Sequence, residues 1–475
     1  MRPRLPATLR TPRGPDWPLV ALLLSIHAIA LFNALAHDPF IGYDAGHHLG
    51  YVDALSQLRL PTREDSEEFF SPPLPYLIPA AARWMGASLR AAGKVGQIGN
   101  VIVSLGLCLQ LLGICERMRP GDRRLRFVSL ALLGSLPVHY KTFAFVRGEP
   151  LLAFLAVLVA GHVWDLLARD RPSGRQVALL GAGLGLALLA RQWGALLFPA
   201  VGALALIVCF RPGPHRLRRA GAVACAFAIA AAIGGWYYVH LHRQFGSMAA
   251  FNRSGWKSFS FSNQPASFYF GLGDGALFVD PIRSSFPNQL LPILHSETWG
   301  DYWAYFLVYG RDTRNGRVMD GLVLDRALAG GARPEWLQTN RFRIAAYLGR
   351  VNLVSLLPSA ALAAGALLGA TALGRMLVGR GAVEREGLAA MHFLVIAFTA
   401  AGYLYFLISF PSHSTGRTIK ASYVLQICPA LCILAGEAIV RLRRTSVKAY
   451  RALVALLAVC ALHNLPALFS RMTSW

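Results

Sequence analysis

Apolar residues along this chain come in long blocks, separated by short polar or basic stretches. A helix of about 20 apolar residues crosses the hydrocarbon core of a bilayer. Blocks of that kind predict spans near 17–36, 95–115, 126–140, 149–168, 176–192, 194–210, 220–241, 346–371, 388–410, 420–440 and 450–467, about eleven in all. The segment 73–90 is also apolar, but it is short and interrupted by prolines, so it is expected to lie along the membrane surface. Residues 242–345 break the pattern with mixed composition and many aromatics, over a length too great for an idle connection. They predict a mostly helical segment packed on the outer membrane face. The fold class is therefore an all-α polytopic membrane protein. It divides into an N-terminal transmembrane module (1–241, with a first outer loop at 37–94), the outer segment 242–345, and C-terminal transmembrane helices in 346–475.

Composition agrees. Hydrophobic residues make up 55% and charged residues 15% of the 475 residues, with a mean hydropathy of +0.44. A soluble domain carries about 25% charged residues, so an ordinary cytosolic, disordered or collagenous protein is excluded. The net charge of +23 would suggest nucleic acid in a soluble protein. Here every second gap between apolar blocks is basic, from Arg2, Arg4, Arg10 and Arg13 through 117–126, 169–175, Arg211 to Arg219, and 375–385 to 441–451. That pattern marks the cytoplasmic side. It places the N-terminus inside and the C-terminus outside, with the lipid bilayer rather than nucleic acid as partner. The first block lacks a small-residue cleavage site, so it reads as a span and not a removable signal. Heavy use of Arg, Ala and Gly suggests a high-GC bacterium, hence the inner membrane; an endoplasmic-reticulum enzyme would have equivalent topology. The seven cysteines lie in or beside apolar blocks and form neither a disulfide framework nor a zinc pattern.

The acids collect on the other face: Asp44, Glu67 and Glu68 in the first outer loop, Glu149 at the start of the fourth span, and Glu297, Asp301, Asp320 and Glu335 in the outer segment. Asp165 and Glu437, near basic ends, read as solvated, and His27, His162 and His392 as packed or interfacial. The middles of the spans are nearly bare of charge, unlike those of most transporters. The chemistry therefore belongs at the outer interface, which favours an enzyme acting on something membrane-borne.

In the first outer loop, Asp44 precedes His47, His48 and Tyr51 at helical spacing. Asp44 reads equally as a helix N-cap or as a catalytic base. The histidines read as sugar or phosphate ligands; as half of a metal site they lack an evident third ligand. Pro72-Pro73-Leu74-Pro75-Tyr76 gives a rigid helix start. Further on stand Phe145-Val146-Arg147-Gly148-Glu149-Pro150, Ala190-Arg191-Gln192-Trp193 and Arg417-Thr418-Ile419-Lys420-Ala421-Ser422-Tyr423. Arg147 and Glu149 bind sugar or phosphate, or pair with each other. Arg191, between two closely spaced spans, is a phosphate candidate. In His295-Ser296-Glu297-Thr298-Trp299-Gly300-Asp301-Tyr302-Trp303, Glu297 and Asp301 beside aromatic rings suit a sugar, and the same aromatics suit an interfacial helix.

An acid soon after the first span, a nearby His and the PPL-Tyr helix start resemble the GT-C superfamily of integral-membrane glycosyltransferases. The sequence is similar to its protein-O-mannosyltransferase and aminoarabinose-transferase branch. Two positions depart from that branch: Ala45 stands where a second acid follows the first, and Ser71 where His precedes the two prolines. The resemblance implies transfer of a monosaccharide from a polyprenyl-phosphate donor to a glycan, lipid or protein acceptor at the outer face. A glycosyl phosphate already carries a good leaving group. The enzyme then needs one base for the acceptor hydroxyl and cations for the departing phosphate. Asp44 is assigned the base, and Arg417 and Lys420, at the depth of a lipid phosphate, the clamp. A single carboxylate opposite the leaving group gives inversion. No cofactor is required; a divalent ion held by Asp44 and the histidines is the alternative to the clamp. A lipid-linked glycan ligase or polymerase, or a multi-pass transporter, are the alternative functions.

Overall fold

The computed structural model describes residues 10–11, 14–169, 171–210, 215–252, 257–319, 321–330, 336–412 and 415–472. Arg2, Arg4, Arg13, Arg211, Asp320 and Glu335 lie outside the described residues. The chain is a polytopic helical membrane protein. Its helices are α1 (Trp17–Ala36), α2 (Ala45–Ser56), α3 (Leu77–Trp84), α4 (Leu89–Met118), α5 (Arg123–Gly134), α6 (Pro137–Phe143), α7 (Glu149–Leu167), α8 (Gly174–Ala190) and α9 (Leu197–Cys209). They continue with α10 (Arg216–Phe245), α11 (Ala266–Phe270), α12 (Leu290–Trp299), α13 (Gly321–Ala329), α14 (Arg341–Val354), α15 (Leu356–Leu377), α16 (Val383–Ser409), α17 (Ile427–Thr445) and α18 (Val447–Asn464).

Among the described residues, eight helical runs are long and apolar enough to cross a membrane: α1, α4, α7, Gln192–Cys209, α10, Arg341–Leu377, α16 and Val447–Leu468. The other three predicted spans also fall on helices, each with a local reason for differing. The block 126–140 divides into α5 and α6, because Pro137 cannot continue the preceding helix and instead starts the next. The block 176–192 becomes α8, a shorter apolar helix. The block 420–440 becomes α17, which starts late and carries Glu437, Arg441, Arg443 and Arg444.

The helices form one bundle. In the N-terminal half α1 packs on α4, α4 on α7, α7 on α8, and α8 on α10. From the C-terminal half, α17 packs on α5, α16 on α9 and α7, and α15 on both α16 and α17. Water supplies no hydrophobic drive between helices in lipid, so close backbone approach does more of the work. Gly181 and Gly185, one turn apart on α8, meet Ile229 and Ile233 of α10 this way. At the basic end of the bundle, ion pairs join helix ends: Arg119 to Glu437 at 2.6 Å, Arg117 to Asp165 at 3.1 Å, and Arg123 to Asp16 at 2.6 Å. Asp165 and Glu437 are thus not simply solvated; Glu437 is buried and also holds Arg441.

The segment 242–345 is less regular than expected. It has the short helices α11, α12 and α13, and Gly310–Asp312 pairs antiparallel with Val318–Met319 and with Leu337–Thr339. Its Gly, Pro, Asp and Asn residues favour turns, and positive φ at Gly273, Asp274, Gly275 and Asn288 interrupts helix propagation. The segment is anchored from within by buried aromatics such as Phe268, Phe286, Tyr302 and Trp303. Its described residues pack on the first outer loop, where the Tyr43 hydroxyl donates to Glu297 and the Tyr43 ring meets Tyr305.

Candidate active site

Asp44 follows α1 after a seven-residue connection held by His37, whose ring nitrogens meet Ser470 Oγ at 2.8 Å and the Ile41 carbonyl at 3.0 Å. Asp44 sits at the N-cap position of α2 in the left-handed region (φ 56°), which Asp tolerates better than most residues. Its carboxylate caps nothing. It turns instead into a polar cavity of about 330 Å³, bordered by Tyr43, Glu68, Trp303, Arg417 and Lys420 among others. Lys420 Nζ donates to Asp44 Oδ2 at 2.9 Å, and the Asp44 side chain remains 39% exposed. The Lys420 ammonium beside it holds the Asp44 carboxyl well below the usual carboxylate range. Burial alone would lower Lys420, but the charge and hydrogen bond of Asp44, together with Tyr423, leave it raised above its ordinary value.

The two cations stand on a pinned segment. Gly416 takes a positive φ (65°) and its backbone lies so close to Asn288 that a side chain would crowd it. Ile419 is fully buried, and Trp303 Nε1 donates to its carbonyl at 2.8 Å. The Tyr403 hydroxyl donates to the Thr418 carbonyl at 3.0 Å and accepts from the Lys420 backbone N–H at 2.7 Å. Lys420 Nζ lies 4.9 Å from the Tyr43 ring centroid and 5.1 Å from that of Tyr423, and donates to the Tyr423 hydroxyl at 3.2 Å. Arg417 is exposed to the cavity.

Behind the cavity lies a buried ionic core. Gly148 is required where a Cβ would collide with the Ala190 carbonyl, and this approach brings Arg147 and Glu149 beside Arg191. Arg147 forms a two-pronged pair with Glu149, both bonds at 2.7 Å. Arg191 reaches Glu149 at 3.2 Å and Glu68 at 3.0 Å, and also donates to Ser71 Oγ. Arg147 stacks over the Tyr43 and Tyr423 rings, each at 5.5 Å. All four charged groups are at most 4% exposed. Burial would raise the Glu68 carboxyl, but the Arg191 charge, nearby His48 and the Ser71 hydrogen bond together outweigh it and the net shift is downward.

The predicted site residues therefore separate. Asp44, Arg417 and Lys420 line one cavity. Arg147, Glu149 and Arg191 meet behind it, and Arg191 also lines a neighbouring cavity. His48 is buried, with Nδ1 2.7 Å from the Tyr76 hydroxyl, and burial pushes it down to about 4. His47 faces outward beside Glu67, whose backbone N–H donates to its Nδ1 at 3.3 Å. Tyr51 does not face the cavity as a sugar ligand would; it is fully buried and stacks on Tyr76 at 4.4 Å. Glu297 and Asp301 need the same correction. Glu297 is fully buried, accepting from Lys141 Nζ at 2.7 Å, from the Trp303 backbone N–H at 2.9 Å and from the Tyr43 hydroxyl. Asp301 accepts from the backbone N–H groups of Tyr305, Phe306, Leu307 and Val308 and so shapes its own loop. Among the described residues no group of three His, Cys, Asp or Glu is placed to hold a metal ion. Sequence reasoning missed Glu68, Tyr43 and Arg283 as neighbours of the site; only Glu68, three residues before the Ser71-Pro72-Pro73 turn, carried a local signal.

A second cavity of about 230 Å³ shares Phe251, Phe406 and Tyr423 with the polar one. Its walls are mostly apolar, and it runs past Arg191 and Ser71 to Leu196 and to Tyr405, a half-exposed residue of the spanning helix α16. A polar chamber thus adjoins an apolar one that reaches the exposed side of α16.

No protein-family model matches the chain, and no curated protein matches it. Among solved structures it is similar to ArnT from Cupriavidus metallidurans bound to undecaprenyl phosphate, at 16% identity and a TM-score of 0.50, over 94% of this chain and 64% of that one. The same enzyme in its apo state gives 16% identity and a TM-score of 0.51, over 94% of this chain and 63% of that one. The chain thus spans just under two thirds of the length of the structures it matches, and it shares their fold.

Proposed function

We propose that this chain is an inverting membrane glycosyltransferase that moves a monosaccharide from a polyprenyl phosphate to an acceptor at the outer membrane face. One observation carries the reading: the Asp44 carboxylate and the cations Arg417 and Lys420 share a polar cavity, with Glu67, Glu68 and Arg283 also in its wall, and it adjoins an apolar cavity that reaches the exposed side of α16. That combination fits a substrate with a charged head and a prenyl tail. The likeness in fold to ArnT, whose structure holds undecaprenyl phosphate, supports it.

In this reading Asp44 takes the proton of the acceptor hydroxyl as its oxygen attacks the anomeric carbon. The bond from that carbon to the phosphate oxygen breaks, and its electron pair leaves on the phosphate. Arg417 and Lys420 meet the growing charge. Attack opposite the leaving group inverts the centre. Residues 1–241 then supply the base, 242–345 the cover of the cavity, and 346–475 the cations. The site faces the periplasm of a bacterial inner membrane, with the N-terminus in the cytoplasm.

The test is sugar transfer by purified protein in detergent, offered radiolabelled polyprenyl-phosphate sugars and a membrane extract as acceptor source. Wild type should consume one donor, and Asp44→Asn should lose about 10²–10⁴ of the rate. An Asp44→Asn variant as fast as wild type would place the base elsewhere. A wild type inert with every donor would move the glycan ligase and transporter readings ahead.

A further inference from the structure

The ion pair between Lys420 and Asp44 sets two assigned roles against each other. A base should be free to accept a proton, yet Asp44 is bound to an ammonium at 2.9 Å, which holds its carboxyl low. A phosphate clamp should be free to bind phosphate, yet Lys420 is committed to a carboxylate. The surroundings allow the ammonium to leave without losing all support. Its backbone is fixed by Tyr403, while its Nζ is also held by the Tyr423 hydroxyl and lies near the Tyr43 and Tyr423 rings. Those aromatic contacts attract a cation wherever its counter-charge sits. The flexible four-carbon stem permits the move.

We propose that Lys420 follows the negative charge during transfer, passing from the Asp44 carboxylate to the phosphate oxygen of the departing polyprenyl phosphate. The proposal rests on the reading above and adds to it a coupling between its two halves. Asp44 begins charged and ends protonated. The donor phosphodiester begins with one negative charge, and the polyprenyl phosphate that departs gains a second. Total charge is conserved, and the same ammonium compensates it at both ends. The base is therefore weak until a phosphate competes for Lys420. Proton acceptance by Asp44 in turn frees Lys420 for the leaving group. A lone acceptor meets an inactive carboxylate, so the donor must be in place before the hydroxyl can be activated.

The reaction need not run for this to be tested. Farnesyl phosphate stands in for the departing product, and its binding is measured by calorimetry on detergent-purified wild type, Asp44→Asn, Lys420→Gln and the double variant. Asp44→Asn mimics the protonated base. It should tighten farnesyl phosphate in both backgrounds, because it removes a nearby negative charge. The tightening should be about fivefold larger when Lys420 is present, the size expected for a part-exposed ion pair that must be broken. Farnesol, which lacks the phosphate, should show no such difference. Equal tightening in both backgrounds, or weaker binding by Asp44→Asn when Lys420 is present, overturns the transfer of Lys420 while leaving the phosphate site standing. Failure of folded wild type to bind farnesyl phosphate overturns the underlying reading and this proposal with it. Lys420→Met repeats the cycle should the Gln variant prove misfolded by circular dichroism.

Discussion

Replacing Lys141 with Met would leave the Glu297 carboxylate charged and fully buried without its cation. The side chains of both residues are inaccessible, and Lys141 Nζ also donates to the carbonyls of Glu297 at 3.0 Å and Gly300 at 3.2 Å. Breaking a buried pair by removing one partner costs about 3–5 kcal/mol, because the surviving charge is uncompensated. Adding Glu297→Gln removes that charge while keeping one oxygen to accept from the Trp303 N–H, and its amide NH2 can donate to the Tyr43 hydroxyl oxygen in place of accepting from it. What remains is the loss at two backbone carbonyls, about 1–3 kcal/mol together. The double variant should therefore be more stable than Lys141→Met alone, by about 2 kcal/mol on these figures. Unfolding in mixed micelles of rising dodecyl-sulfate fraction, followed by tryptophan circular dichroism in the near ultraviolet, measures this. Costs that simply add, with the double variant weaker than either single one, would refute the claim that Lys141 serves to neutralise Glu297. The same set bears on the site, since Glu297 holds the Tyr43 hydroxyl next to Asp44 and the Tyr43 ring lies against Lys420.

Two further outcomes follow from single positions. Gly148→Ala should abolish the folded, monodisperse protein, because its Cβ collides with the Ala190 carbonyl, whereas Gly113→Ala on α4, with open space around it, should be neutral or gain about 0.5–1 kcal/mol; size-exclusion profiles after graded heating separate the two. His48, pushed down to about 4 by burial, binds a proton more weakly folded than unfolded. Its contribution should fall as pH drops from about 6.5 to about 4, by up to roughly 3 kcal/mol, so stability rises with pH across that window. In His48→Gln, an unfolding midpoint as steep in pH as that of wild type would contradict this.

The bundle was legible because lipid leaves a chain few choices: each crossing must be an apolar helix with its backbone bonded internally. Ends were less so. Leu136-Pro137, late in the predicted span 126–140, is a visible break, and it divides α5 from α6. Asp44 stood out by its place just after the first apolar block, and Lys420 by a basic residue at an interfacial depth. Their meeting was not readable, since 376 residues separate them and no periodicity links a loop to a loop. Glu297 and Asp301 misled for a different reason. An acid among Trp and Tyr looks the same in sequence whether it faces a sugar or accepts backbone N–H groups. The loop bonds that claim both carboxylates depend on positive-φ turns, such as that at Ala304, that residue type does not announce.

The ionic core behind the cavity also bears on how such a protein diverges. Arg147 and Arg191 together balance Glu149 and Glu68, with at most 4% of any of the four exposed to absorb an imbalance. Any one of the four replaced alone leaves an odd charge in a buried place, so tolerated histories are those in which partners change together. Two lineages can then keep the same arrangement of charges while exchanging which positions carry it, and short motifs drift out of register faster than the fold does. A residue missing from a familiar motif, such as an acid at position 45, is then better sought in space than along the chain.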